Sequence, residues 1–248
     1  MRVIVTRPEA QALPWVAELM ALGVDARALP LIGIAPADDV RPLQAAWQRL
    51  PALALVIFVS ANAVEHFFAA RPERAAWPPG LAAASTGPGT SGALRAAGVS
   101  SIHEPASATL QFDSEALWAV LALQSWRGLQ VLVVRGEAGR DWLADQLRGQ
   151  GAAISFVAAY RRLPPTLDDA AQALLQAAVV APARHVWLFS SSQAVAHLCT
   201  LAPQADWSRA RALASHPRIA QAARRAGFGQ VEIVAPRPQA VASKLHAT

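Results

Sequence analysis

One cysteine, one tyrosine and one lysine occur in 248 residues. The lone Cys199 permits no intramolecular disulfide and excludes zinc sites built on cysteine pairs, so no oxidising compartment is needed. Apolar runs are short: stretches such as Ala52 to Val59 and Gln130 to Val134 fall far below the roughly 20 residues that span a bilayer. The opening MRVIVTRPEA has only a few apolar positions before Arg7 and Glu9, unlike the apolar core of a signal peptide, and reads as the first β-strand of a cytoplasmic protein. The net charge is +5, yet the arginines (Arg7, Arg74, Arg135, Arg140, Arg161, Arg218) are scattered, with no lysine-rich block and no interleaved aromatics. That distribution favours small anionic ligands over nucleic acid. No H-x-x-x-H or H-E-x-x-H pairing supports a metal site, and no G-x-S-x-G elbow supports a serine nucleophile. GPGT at Gly87 to Thr90 is neither a P-loop nor a dinucleotide fingerprint.

What the chain does contain, it says twice. VIFVSANAVEHF, Val56 to Phe67, returns as WLFSSSQAVAHL, Trp187 to Leu198, with Ser60 and Ser191 at an offset of 131. Three further matches lie close to that spacing. VIVTRPEA (Val3 to Ala10) pairs with LVVRGEAG (Leu132 to Gly139), Arg7 over Arg135, and LPWVAELMALG pairs with DWLADQLRGQG, both at an offset of 128. TGPGTSGALRAAG, ending at Gly98, lies over SHPRIAQAARRAG, ending at Gly227, at an offset of 129 with Pro88 over Pro217. Two halves of one ancestral unit are the simplest account.

Inside each half, short β-branched runs lead through polar turns into stretches with an apolar period near 3.6. This is the pattern of βα units around a parallel sheet, and at this length the chain holds two such α/β domains. The first half predicts strands at 2–6, 25–32, 54–59, 81–86 and 100–103, with helices at 10–22, 40–50, 62–70, 89–97 and 114–124. The second predicts strands near 130–134, 153–160, 185–189, 211–215 and 231–234, with helices near 140–149, 167–179, 193–201 and 218–226. PLIGIAPADD (Pro30 to Asp39) and YRRLPPTLDD (Tyr160 to Asp169) occupy equivalent places and read as a pair of linkers.

In doubly wound sheets the βα turns open at one carboxyl edge, where helix N-termini and free amides attract anions. The turns here are Thr6-Arg7-Pro8, Ser60-Ala61-Asn62, Thr86-Gly87-Pro88-Gly89-Thr90, Arg135-Gly136-Glu137, Ser190-Ser191-Ser192 and Ser215-His216-Pro217-Arg218. Two such sets facing one another would make a cleft suited to a large ligand with several carboxylates or phosphates. Taken singly, Ser60 and Ser191 are helix N-caps, and Arg7 and Arg135 could form surface ion pairs with Glu9 and Glu137. Recurrence of the same residues in both halves favours a shared ligand. His66 and His197, four residues after Asn62 and Gln193, read as packing or capping residues. Tyr160, at a strand end, is the one side chain nominated for chemistry, its phenol serving as a proton donor.

The motifs VIVTRPEAQA, VIFVSANAVEHF, LVVRGEAGRDWLADQLRGQGA, AAYRRLPP, LFSSSQAVAHL and SHPRIAQAARRAGF, in this order from Arg2 to about Pro236, resemble the uroporphyrinogen-III synthase family. The resemblance implies two doubly wound, flavodoxin-like lobes joined by a two-stranded linker, with 1–35 and 164–248 forming one lobe and 36–163 the other. Because the repeat boundary near residue 129 falls elsewhere, the halves would exchange their first βα segments. The implied reaction closes linear hydroxymethylbilane to uroporphyrinogen III, with ring D inverted and water lost, and with no metal or organic cofactor. The family also implies a cytoplasmic monomer, with transient hand-over of substrate from the preceding enzyme. Tyr160 falls on the family's tyrosine, as general acid, and Thr90 on a family threonine. His216-Pro217-Arg218 departs from the G-P-T-T pattern of eukaryotic-type members. The alternatives are a synthase-like tetrapyrrole-binding or regulatory module without turnover, and a two-lobed solute-binding protein, which would need a secretion signal.

Overall fold

A computed structural model describes residues 1–105 and 112–247. In chain order its elements are β1 (Arg2–Val5), α1 (Glu9–Ala21), β2 (Ala26–Ala28), β3 (Gly33–Pro36), α2 (Arg41–Arg49), β4 (Leu55–Phe58), α3 (Ala61–Ala69), β5 (Ala82–Ser85), α4 (Pro88–Ala96), β6 (Ile102–His103) and α5 (Ser114–Leu121). There follow β7 (Gln130–Gly136), α6 (Trp142–Gly149), β8 (Ala153–Leu163), α7 (Asp169–Val180), β9 (His185–Phe189), α8 (Ser192–Leu201), β10 (Arg211–Ala214), α9 (Pro217–Arg225), β11 (Gln230–Ile233) and α10 (Pro238–His246).

These elements form two compact units, one of Met1–Gly33 with Leu163–Thr248 and one of Ile34–Arg162. The first holds a sheet of order β11-β10-β9-β1-β2, every pair parallel. Counted within its own unit this is the 2-1-3-4-5 order of doubly wound folds. The second holds β3-β8-β7-β4-β5-β6, in which β8-β7-β4-β5-β6 are parallel; counted in chain order from β4 they read 5-4-1-2-3, which becomes 2-1-3-4-5 when each strand is numbered as its counterpart in the sequence repeat. Thus β1, from the first sequence repeat, pairs with β9 of the second and carries β2 on its other side, while β7 and β8 of the second pair with β4 and β3 of the first. The unit boundaries fall in β3 and at the end of β8, two hydrogen-bonded neighbours.

Central strands buried on both faces need apolar side chains in both directions, and β4 and β7 are written that way. Val56, Phe58, Leu132 and Val134 enter one core with Trp47 and Phe67. Their sequence neighbours Leu55, Ile57, Val131 and Val133 enter another on the opposite face with Leu117, Leu143 and Leu147. Trp47 stacks on Phe67 at 4.8 Å and donates its indole N–H to the Phe67 carbonyl at 2.9 Å, so burying the ring leaves no orphan donor. In the other unit Val3, Val5, Val186 and Leu188 meet Ala12, Leu19, Val241 and Ala242.

Two elements differ from the sequence expectation. The strand expected at 25–32 is the shorter β2, beyond which Leu29 and Leu31 still donate to the Val5 and Thr6 carbonyls, and β3 follows at Gly33–Pro36 in the other sheet. α10 has no counterpart in the predicted helices. It starts with Pro238 at its first position, where a missing N–H costs nothing, and buries only Pro238, Val241 and Ala242. That stripe is too narrow for periodicity to reveal.

α10 is also held electrostatically. Lys244 donates to Glu232 of β11, holding this carboxylate below its usual range with help from Arg211. A carboxylate depressed by folding contributes stability above its unfolded pKa of about 4.3, and that contribution is lost as pH falls through the folded value. Melting curves should therefore show Glu232→Gln less stable than the parent at pH 7, with the difference closing below about pH 4. Both groups are more than a third exposed, so the gap is small.

Candidate functional site

β1, β9, β10, β4, β5 and β7 run parallel within their sheets, so the helices that follow them begin together at each sheet's carboxyl edge. In the inserted unit the edge is formed by the ends of β4, β5, β7 and β8. Ser60, extended at φ −165°, caps α3 by accepting the Ala63 N–H at 3.2 Å. This leaves the first-turn amide of Ala61 turned outward, as helix geometry requires. Thr86 donates to the Val59 carbonyl at 3.3 Å and ties the next turn to the end of β4. In that turn Gly87 caps α4; a Cβ there would lie 3.2 Å from the Phe112 side chain. Thr90 is buried in the first turn of α4 and Gly89 borders open space.

Tyr160 lies where a register irregularity has placed it. β7 and β8 pair residue for residue up to Arg135 and Ala158, after which Gly136 faces Tyr160, so Ala159 is passed over as a bulge. Bulges re-aim side chains, and here the phenol ring settles over a residue that has no side chain. A Cβ on Gly136 would lie 3.1 and 3.2 Å from two ring carbons. The ring is 1% exposed and belongs to the same core as Phe58 and Phe67. Its oxygen receives the Ser60 hydroxyl at 3.1 Å and an Arg162 N–H at 3.4 Å. His66 lies alongside, ring centroids 6.1 Å apart and planes 22° from parallel.

Several candidates occupy different places from those the sequence implied. Arg135 and Gly136 belong to β7 and not to a turn. Arg135 pairs with Asp141 and lies 4.3 Å over the Phe156 ring, so its charge is already engaged. The Glu137 amide donates to the Tyr160 carbonyl at 3.2 Å, closing the bulge instead of offering a donor to an anion. Thr6 is 1% exposed, its hydroxyl donated to the Leu188 carbonyl at 2.8 Å to join β1 to β9. Arg7 folds back along α1, 4.3 Å over Trp15 with Gln11 at 3.5 Å, and burial pushes its pKa down to about 10. It remains charged at neutral pH, but its guanidinium lies down the helix side, away from the turn.

In the other unit Ser191 caps α8 through the Gln193 N–H at 3.1 Å, with Ser192 exposed beside it. His216 caps α9 by the same logic, its Nδ1 accepting the Arg218 N–H at 3.1 Å, so an imidazole does the work of a hydroxyl. His197, the counterpart of His66, bonds the Leu31 carbonyl at 2.6 Å and is a packing residue as expected. His66 packs as well, but against the phenol ring. The signal for it was its fixed distance from Ser60 on one helix. The signal for Arg162, also missed, was its place two residues beyond Tyr160 on one strand. Among the described residues no three His, Cys, Asp or Glu side chains gather as a metal site, and no helix is long and apolar enough to cross a membrane.

A two-unit, doubly wound α/β protein with one phenol set among helix N-termini is the class that this fold and site define. A family model described as uroporphyrinogen-III synthase HemD matches residues 14–242. The chain is 29% identical over 241 residues to uroporphyrinogen-III synthase of Salmonella typhimurium, covering 94% of each chain. It is 31% identical over 215 residues to that of Synechococcus elongatus, covering 83% of this chain and 77% of the other. The crystal structure of uroporphyrinogen-III synthetase from Helicobacter pylori matches its fold with a TM-score of 0.62 at 15% identity, covering 100% of this chain and 98% of that one. The chain belongs to the uroporphyrinogen-III synthase family.

Proposed function

We propose that this chain is a cyclising lyase that closes hydroxymethylbilane to uroporphyrinogen III with ring D inverted and one water lost. The observation that carries the reading is the family match from residue 14 to 242, within which the chain's only tyrosine is set at a sheet's carboxyl edge. The Tyr160 O–H gives its proton to the terminal hydroxyl of the substrate. The carbon–oxygen bond breaks, water leaves with the bonding electrons, and the adjoining pyrrole nitrogen supplies electrons to the carbon left behind. Ring D attacks that carbon through its own substituted position, and the spirocyclic product fragments and recloses inverted. The proton released as the macrocycle regains aromatic pyrroles returns to the phenolate, so the balance is one water lost.

Left alone, the same substrate closes without inversion, so the protein's task is largely to hold one geometry against another. Acidic side arms on pyrrole rings suit outward helix-start amides, which each unit offers on its own edge: Ala61 and Gly89 in the inserted unit, Ser192 in the other. Arg162 is exposed and, among the described residues, donates to the Tyr160 oxygen and to no carboxylate, which leaves its charge for a substrate arm. Asn62, Thr90, Ser191, His216 and Arg218 stay in this reading as residues that shape those helix starts. We further propose a cytoplasmic monomer that takes its substrate by transient hand-over; spontaneous closure of free substrate makes a short path between enzymes advantageous.

The test is a coupled assay with freshly generated hydroxymethylbilane and separation of the product isomers. Type III isomer formed in proportion to protein concentration is the expected result. Type I alone, at the rate seen without protein, would favour a binding or regulatory module.

A further inference from the structure

The paired serines diverge in a way the repeat itself exposes. Ser191 accepts one helix amide and does no more that the structure records. Ser60 accepts the equivalent kind of amide, from Ala63, and also reaches the Tyr160 oxygen at 3.1 Å. The strand position that carries Tyr160 in one unit corresponds, at the 128-residue offset, to Ile32 in the other, so only one of the two serines has a phenol to meet.

We propose that Ser60 is a positioning residue for the reaction: its hydroxyl donates to the Tyr160 oxygen and thereby leaves the phenol proton facing the substrate. The argument is an accounting of lone pairs and protons. A serine hydroxyl has one proton and two lone pairs. The Ala63 N–H takes a lone pair of Ser60, fixing the oxygen against the start of α3. The hydroxyl proton is then directed at Tyr160. The phenol oxygen receives Ser60 on one side and the Arg162 guanidinium, at 3.4 Å, on the other. With its acceptor positions engaged by two donors, the phenol's own O–H is the group left to serve a third partner, and a leaving hydroxyl is such a partner. Gly136 completes the arrangement by leaving the ring room to sit there. The cap at Ser60 thus couples a helix start to the direction of a single proton, a role its twin Ser191 does not have.

This rests on Tyr160 being the proton donor, and the experiment separates the two. Because the chain has one tyrosine, labelling with [ζ-13C]tyrosine gives a single NMR signal from the phenol carbon. That signal, kcat and KM are read in Ser60→Ala, Ser60→Thr and Ser191→Ala. Expected are a shifted signal in Ser60→Ala with kcat down about 10-fold and KM within about 2-fold, the parent's signal and most of kcat in Ser60→Thr, and the parent's signal in Ser191→Ala. The matched Ser191→Ala variant loses a cap of the same kind, about 1 kcal/mol, so general loosening would move both signals alike. An unmoved signal in Ser60→Ala overturns the contact, whatever the rate does. A moved signal with unchanged kcat overturns the use of the phenol in catalysis, and the positioning role with it.

Discussion

Replacing Tyr160 by Phe is expected to lower kcat by about 100-fold or more while the protein folds and binds product much as before. The phenyl ring is what the core holds: it is 1% exposed, lies over Gly136, and packs in the cluster that contains Phe58, Phe67 and Val157. Phe keeps all of that. What it loses is one oxygen, and with it the two hydrogen bonds from Ser60 and Arg162. Neither donor is stranded in a dry interior, because the Ser60 hydroxyl can turn and Arg162 is exposed. The stability cost therefore stays within the range of one modest hydrogen bond, about 1 kcal/mol. The rate cost is larger because departure of hydroxide without a proton is the step that the phenol assists. As enzymatic closure slows, the uninverted type I isomer should take a growing share of product, which chromatography of the porphyrins after oxidation would read directly.

Gly136→Ala is expected to lower kcat by about 10-fold or more and to destabilise the fold by about 1–3 kcal/mol, although the new methyl touches no substrate. Its Cβ would lie 3.1 and 3.2 Å from two carbons of the Tyr160 ring and 3.4 Å from the Tyr160 carbonyl. These contacts are tighter than packed carbons accept, and the ring cannot withdraw without disturbing the core behind it. The phenol oxygen must then move relative to Ser60 and Arg162, and displacement at a reacting centre by even 1 Å is costly. The decisive comparison is the double variant. If Gly136 acts through the ring's position, adding Gly136→Ala to Tyr160→Phe should lower kcat little further, because the group being misplaced is already gone. Full additivity of the two losses would show that Gly136 acts on the reaction by another route.

The doubly wound units were legible in the sequence because parallel strands buried on both faces are written as continuous apolar runs, and because several of these runs are followed by a small or hydroxylic helix cap. Ser60, Ser191 and Gly87 stand at caps for that reason. The direction of long side chains was not legible. Arg7 and Arg135 occupy equivalent places in the two sequence repeats, yet one stacks on Trp15 and the other on Phe156 beside Asp141. The flanking aromatic and the acid that decide this lie on elements whose distance in space the sequence does not state. The bulge at Ala159 was invisible for a related reason, since register is a property of two strands, and with it went the contact between Gly136 and Tyr160. His66 and His197 read alike in the sequence as packing or capping residues, yet His197 bonds a backbone carbonyl and His66 lies along the phenol; repeats preserve the scaffold and let the surroundings differ between copies.

The central claim, that Tyr160 delivers its proton to the substrate's terminal hydroxyl, is tested most directly by a crystal structure with a hydroxymethylbilane analogue that keeps this hydroxyl but cannot cyclise. The prediction is a phenol oxygen within about 2.6–3.2 Å of the hydroxyl oxygen, with Ser60 still bonded to the phenol. An analogue seated with its hydroxyl beyond the reach of Tyr160, and beyond that of a single bridging water, would contradict it.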